Sequence, residues 1–151
     1  MNTARIVALA GISLLAMSNS CEKEGDAAPG SELATGRVVR TEITTDDQFK
    51  NPRPRWEIDV APLSFPGLTA PGAGAMEYQQ VKVFNLPDTA TYKAGRTIRF
   101  RYRLVPQNEH TPWRTFYERM NMAPGIAWGD RLPELALTDV QLVPAPAAGN
   151  P

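Results

Sequence analysis

The residues of this chain that could do chemistry include one pair of carboxylates. Glu57 and Asp59 alternate with apolar residues in the segment Arg55–Ala61. On a β-strand their side chains would point to the same side, about 6–7 Å apart. Carboxyl groups at comparable spacing hydrolyse glycosidic bonds. Any exposed strand with alternating polarity produces the same pair, so a small carbohydrate-acting hydrolase is only the alternative hypothesis.

A row of arginines is the second candidate. Arg99, Arg101 and Arg103 alternate with apolar residues in Thr97–Val105 and would form one basic strand face. Such a face could bind an anionic ligand, a polysaccharide or phosphate, or it could form cross-strand ion pairs with Glu57 and Asp59. The chain has 16 basic and 16 acidic residues, so no strong field attracts nucleic acid.

The single histidine offers little for catalysis or metal binding. Glu109 is the only obvious companion ligand of His110, and no Gly-x-Ser-x-Gly nucleophile motif is present. The single cysteine forms no internal disulfide and completes no cysteine-based zinc site. We therefore expect His110 to be solvated in a loop, and we predict no cofactor, no metal and no enzymatic activity.

Aromatic residues near the C-terminus could bind a sugar or a partner. Trp113, Phe116, Tyr117 and Met120 fall at helical spacing, which favours a stripe facing the core. Thr111 would be the N-cap of this helix and Pro112 its first residue. Two further residues, Met122 and Trp128, complete the group. Trp128 lies between two glycines in PGIAWGD, and we expect it to be exposed and available to a ligand.

The first twenty residues have the organisation of an export signal. Arg5 supplies the positive charge, and the apolar stretch Ile6–Met17 follows. Twelve helical residues span about 18 Å, whereas the hydrocarbon core of a bilayer is about 30 Å thick. The segment is therefore predicted to be a signal and not a permanent transmembrane helix.

The junction after this signal resembles that of bacterial lipoproteins, in which a cysteine directly after the apolar stretch is diacylated and becomes the new N-terminus. Cys21 occupies that position, preceded by Ser18-Asn19-Ser20. The family usually has Leu where this chain has Ser18, so ordinary cleavage after Ala16-Met17-Ser18 stays an alternative. The acidic run after Cys21 is similar to that of surface lipoproteins. The resemblance implies an anchor in the outer membrane of a Gram-negative bacterium, facing the periplasm or the exterior.

The remaining chain divides into a predicted tether (21–32), a folded domain (33–143) and a disordered tail (144–151). The domain is predicted to be mainly β, a five-stranded antiparallel barrel or sandwich with one short helix. The predicted strands lie at 36–43, 55–61, 78–86, 97–105 and 135–143. This layout loosely resembles an OB-fold, although the helix follows the fourth strand instead of the third.

The functional hypothesis is a lipid-anchored envelope protein that binds or assembles with a glycan, an anionic ligand or another envelope protein. Such a binding module predicts a concave surface that joins Arg99 or Arg101 to Trp128. The hydrolase predicts two partly buried carboxylates, Glu57 and Asp59, in one cleft. A structural accessory without a ligand predicts an exposed apolar patch or sheet edge instead.

Overall fold

A computed structural model describes residues 33–69, 76–120 and 125–144 of the chain. The predicted export signal, Cys21, the tether as far as residue 32, Met122 and the tail from residue 145 lie outside these ranges. The described part is mainly β, as predicted, with two short α-helices. Its folded elements begin at Leu33 and end at Leu142.

All five predicted strands are present, and two short ones were not predicted. The strands are β1 (Leu33–Thr44), β2 (Arg53–Asp59), β3 (Phe65–Gly67), β4 (Met76–Tyr78), β5 (Gln80–Val83), β6 (Thr97–Leu104) and β7 (Leu135–Leu142). The helices α1 (Phe116–Met120) and α2 (Trp128–Arg131) lie between β6 and β7. A 3₁₀ turn (Gln107–Glu109) follows β6.

Five of the strands form one antiparallel sheet in the order β5-β2-β1-β6-β7, and β3 pairs with β4 in a separate two-stranded sheet. The long strand β1 is central and carries a bulge between Val38 and Arg40. Gly95 closes the turn before β6 with a φ of 86°, which favours glycine. At the other side of the sheet, Lys82 of β5 and Glu134 form an isolated parallel bridge.

The apolar core lies on one face of the five-stranded sheet. Ile98 and Phe100 of β6 are buried there, whereas Arg99 and Arg103 are exposed, as the alternation predicts. Trp56 is fully buried, and its indole N–H donates to the Tyr92 carbonyl at 2.9 Å. The other core residues are Ala34, Val38, Ile58, Val60, Phe65, Val81, Val83, Leu86, Leu135 and Leu137.

The prediction for the second face of β2 is wrong. Arg55 and Glu57 alternate with core residues and were expected in solvent, yet each is only 1% exposed. Helices α1 and α2 lie over this face, where Glu118 and Trp128 contact the two charged side chains. Strand β2 is therefore buried on both faces, with an apolar core on one side and a charged one on the other.

Candidate ligand-binding cleft

A cleft lies between α1 and α2. Its volume is about 580 Å³, within the range of small-molecule sites. Its lining combines two aromatic rings, three arginines, two carboxylates and several apolar groups: Leu68, Arg114, Tyr117, Glu118, Arg119, Gly125, Ile126, Ala127, Trp128, Asp130 and Arg131. We refer to it as the α1–α2 cleft.

A capping box sets the start of helix α1 at Phe116. The Thr115 hydroxyl accepts from the Glu118 N–H at 3.2 Å, and the Glu118 carboxylate accepts from the Thr115 N–H at 2.8 Å. This reciprocal pair satisfies two donors that have no partner in the first turn. The predicted N-cap, Thr111, instead donates from its N–H and its hydroxyl to Glu134, each at 2.7 Å. The helix therefore begins later than predicted.

Glu118 also ties α1 to the sheet and to α2. The Arg55 guanidinium donates to both carboxylate oxygens, at 3.0 and 2.9 Å, and the Gly129 N–H donates at 2.7 Å. Burial opposes ionisation of Glu118, but these hydrogen bonds and the charge of Arg55 prevail and lower its pKa to about 2. A Cβ at position 129 would overlap the Arg55 guanidinium, so this close approach requires glycine.

Because α1 turns its charged side to the sheet, its apolar side faces solvent. Tyr117 is 83% exposed, Met120 60% and Phe116 58%. The prediction that this stripe packs in the core is therefore wrong. Phe49 joins the group, with its ring centroid 6.3 Å from that of Phe116. Together Phe49, Phe116, Tyr117 and Met120 form what we call the aromatic surface, and Tyr117 also lines the α1–α2 cleft.

Trp128 is exposed, as predicted, although it begins α2 and does not lie in a loop. The side chain is 38% exposed. Its indole N–H donates to Glu57 at 3.1 Å, and its ring meets the edge of Tyr78 at a centroid distance of 6.2 Å. These two contacts orient the ring at the wall of the cleft. Its role in ligand binding stays a prediction.

Within the described ranges, Arg131 is the one arginine of the cleft lining without a carboxylate partner. Arg114 pairs with Asp130 at 2.6 Å, and Arg119 pairs with Asp47 at 2.8 Å. Arg131 donates from Nε to the Ile126 carbonyl at 2.8 Å. Among residues 33–69, 76–120 and 125–144, no carboxylate lies within ion-pair distance of Arg131. The lining therefore presents one uncompensated positive charge.

The arginine row on β6 lies elsewhere. Arg101 contacts Asp139 at 3.3 Å and Arg103 contacts Glu109 at 4.0 Å. The predicted pairing with Glu57 and Asp59 is wrong because β1 lies between β2 and β6. Neither Arg99, Arg101 nor Arg103 lines the α1–α2 cleft. The structure therefore does not join them to Trp128 in that cleft, and their role as ligand contacts stays a prediction.

The two carboxylates of the hydrolase hypothesis do not share a cleft. Glu57 is buried and accepts from Arg40 at 2.9 Å and from Trp128. Asp59 accepts from the Ala61 N–H at 3.0 Å and lines a separate depression of about 210 Å³. With one group sequestered in ion pairs, the pair lacks the common access that glycoside hydrolysis requires.

His110 and Lys82 belong to a second partly buried polar cluster that sequence reasoning missed. Lys82 Nζ lies 3.8 Å from the Glu134 carboxylate, and both side chains are buried. Burial lowers the pKa of Lys82, and burial together with the Lys82 charge lowers the pKa of His110. We expected His110 to be solvated, but its Nε2 lies 3.2 Å from the Val105 carbonyl, so the ring is only partly exposed to solvent. The described residues contain no group of three or more His, Cys, Asp or Glu that could hold a metal ion.

Comparisons with known proteins give no indication of function for this chain. No family model matches the chain, and neither curated proteins nor solved structures give a significant match. In the described ranges, no helix has the length and apolar character needed to span a membrane.

Proposed function

We propose that this chain is a lipid-anchored protein of the Gram-negative envelope that binds a ligand or partner through the α1–α2 cleft, without catalysing a reaction. The observation that carries the proposal is the exposure of Tyr117 and its apolar neighbours on a helix held by a buried ion pair. Contiguous exposed apolar side chains of this kind mark interaction sites in globular proteins. Trp128 and Arg131 add an oriented ring and a free charge to the same cleft.

The rigidity beneath the cleft supports a binding role. Hydrogen bonds to the Glu118 carboxylate from Arg55 and from the Gly129 N–H link β2, α1 and α2, which favours a preformed cleft. A preorganised site loses less conformational entropy on binding than a mobile one. In the described part of the chain, each buried charged side chain has an ion-pair partner, which fits a structural role for these groups and leaves recognition to the exposed ones.

For the fold, we infer an OB-like barrel. In this barrel the two edge strands of the sheet, β5 and β7, are joined mainly through one side chain, and we call this junction the side-chain seam. The Lys82 N–H donates to the Pro133 carbonyl at 2.9 Å. Three residues later, the Asn85 amide donates to the Leu137 carbonyl at 2.7 Å and accepts from its N–H at 3.2 Å. Positions 82 and 85 thus meet residues near 134 and 137, the equal spacing of parallel neighbours. Placement of α1 and α2 before the last strand distinguishes this arrangement from the usual OB layout.

The anchor is proposed from the sequence around Cys21. Each buried CH₂ of an acyl chain contributes about 0.8 kcal/mol, and two chains give stable attachment where one does not. We expect Cys21→Ser to move the protein from the membrane fraction to the soluble fraction of its native host, with Ser20→Ala as the matched control. An unchanged membrane fraction for Cys21→Ser would contradict attachment through that sulfur.

The binding role is tested by photo-crosslinking in the native envelope. A benzoylphenylalanine residue at position 117 would report what lies in the cleft, and one at Lys93, an exposed turn residue, serves as the control. We expect a discrete adduct from position 117 and none from position 93. Equal labelling at the two positions, or no adduct at position 117, would count against the cleft as a binding site.

A second candidate role is assembly with another envelope protein through the aromatic surface. Phe49, Phe116 and Met120 continue the apolar patch beyond the cleft lining. Protein interfaces are enriched in such aromatic and Met side chains. A protein adduct at both position 117 and position 116 would favour assembly, whereas an adduct confined to position 117 would favour a ligand in the cleft.

A further inference from the structure

Resting on the proposed binding role of the α1–α2 cleft, we infer that its ligand is a carboxylate-bearing saccharide and that Arg131 binds the carboxylate. The inference combines two properties of one cleft, a surplus guanidinium and a pair of aromatic walls. Each property alone would fit several ligands. Together they select a molecule that has both a negative charge and an apolar ring face.

Most charged groups of the cleft lining already have a partner of opposite charge. The two carboxylates of the lining, Glu118 and Asp130, are bound by Arg55 and Arg114. Arg119 is bound by Asp47 and by the Thr45 carbonyl. An incoming anion therefore meets no unpaired carboxylate among the described lining residues, and it finds Arg131 as the cation without a carboxylate partner.

The geometry of Arg131 suits a planar carboxylate. Its Nε–H donates to the Ile126 carbonyl, which orients the guanidinium. The two Nη groups make no hydrogen bond within the described residues and can donate to both oxygens of a ligand carboxylate. Arginine binds carboxylates in this two-point manner, with a precision that a lysine does not provide.

The aromatic rings of the cleft restrict the shape of the rest of the ligand. Tyr117 and Trp128 line the same cleft as Arg131, and Leu68 and Ile126 add apolar surface between polar groups. Aromatic rings offer a broad apolar face with a polar tip, which matches the C–H face and hydroxyl rim of a sugar ring. Inorganic phosphate would use Arg131 but would leave both rings without a contact. A flat protein surface would contact the rings but would not fill a concave cleft of about 580 Å³.

The test uses the detergent-solubilised full-length protein and a panel of acidic oligosaccharides. The probes are oligomers that contain glucuronate, galacturonate or N-acetylmuramate, each with its carboxyl-reduced counterpart, and inorganic phosphate. Titration calorimetry should show binding of at least one acidic oligomer and at least tenfold weaker binding of its reduced form. Arg131→Gln should weaken the acidic oligomer about tenfold and leave the reduced one unchanged. Arg37→Gln, an exposed arginine outside the cleft, is the matched control.

The outcomes separate the ligand class from the binding role. Equal affinity for an acidic oligomer and its reduced form, or no effect of Arg131→Gln, would overturn the inference. If phosphate competes fully with the oligomer and binds with similar affinity, the cleft recognises only the negative charge. That result would also overturn the inference of a saccharide ligand. If no oligomer binds but position 117 gives a discrete protein adduct, the saccharide is wrong and the binding role stands. If no oligomer binds and position 117 gives no adduct, both fail.

Discussion

Replacement of Glu118 by Gln should destabilise the fold by about 3 kcal/mol at pH 7. The side chain keeps its size but loses its charge, so Arg55, which is 1% exposed, is left with Glu42 at 2.7 Å and Glu57 at 3.6 Å. The fall of the Glu118 pKa from 4.5 to about 2, at about 1.4 kcal/mol per pH unit, gives this magnitude. Removal of one partner from a buried ion pair costs about 3–5 kcal/mol in other proteins.

The pH dependence provides an independent check of the same reasoning. The pKa of Glu118 is lower in the folded chain than in the unfolded one, so its stabilisation is fully present above about pH 4.5 and is lost as the pH falls towards 2. The wild type should therefore lose its advantage over Glu118→Gln across this window. The two proteins should unfold at similar temperatures near pH 2.

Thermal and urea unfolding at pH 7, 4.5 and 2.5 would measure both effects. For a domain of this size, about 3 kcal/mol corresponds to a lowering of the midpoint by roughly 10–20 °C. Glu109→Gln is the matched control because Glu109 is exposed and lies 4.0 Å from Arg103, and such surface pairs contribute about 0–1 kcal/mol. A loss below about 1 kcal/mol for Glu118→Gln at pH 7, or a loss that does not shrink at pH 2.5, would refute the argument.

Substitutions at three further positions test other parts of the fold. Thr115→Ala removes the cap of α1 and should cost about 1 kcal/mol in urea unfolding, whereas Thr115→Ser should cost less; equal losses would exclude a capping role. Asn85→Ala leaves the Leu137 backbone groups unpaired and should cost about 1–3 kcal/mol, and a neutral result would count against the side-chain seam. Burial lowers the pKa of Lys82, so the unfolded chain binds this proton more tightly and stability rises with pH up to about 10.5. Lys82→Met should abolish that rise, and an unchanged slope of stability against pH below about 10.5 would assign it to other groups.

The strand pattern was readable from the sequence because it depends on local alternation. In β6 the alternation of Ile98 and Phe100 with Arg99 and Arg103 matches one buried and one solvated face. The same alternation in β2 misleads, because a segment some sixty residues later covers its polar face. Glu118 reaches Arg55 across 63 positions of sequence, and no local signal reports such a contact.

For the candidate site, the sequence contained one signal that could have been used. Thr115 and Glu118 have the spacing of a capping box, which places the helix start at Phe116 and directs Glu118 towards the chain that enters the helix. The helical spacing of the aromatic residues instead predicts burial, whereas Phe116, Tyr117 and Met120 are exposed. Periodicity shows that these residues share one face of the helix, but it does not show whether that face packs against the sheet. In α1 the opposite face packs against the sheet, through the ion pair between Glu118 and Arg55. Trp128, flanked by glycines, was correctly expected to be exposed.

The length of β1 has a consequence for how the domain would be displayed. Twelve strand residues at about 3.3 Å each separate the ends of β1 by up to about 36 Å. Leu33 lies at one end, where the tether would join, whereas Thr45 just beyond the other end bridges to Arg114 at the cleft. Strand β1 therefore separates the point where the predicted tether would join from the cleft, so an attachment through that tether would leave the cleft at the opposite end of the strand, open to a partner on that side.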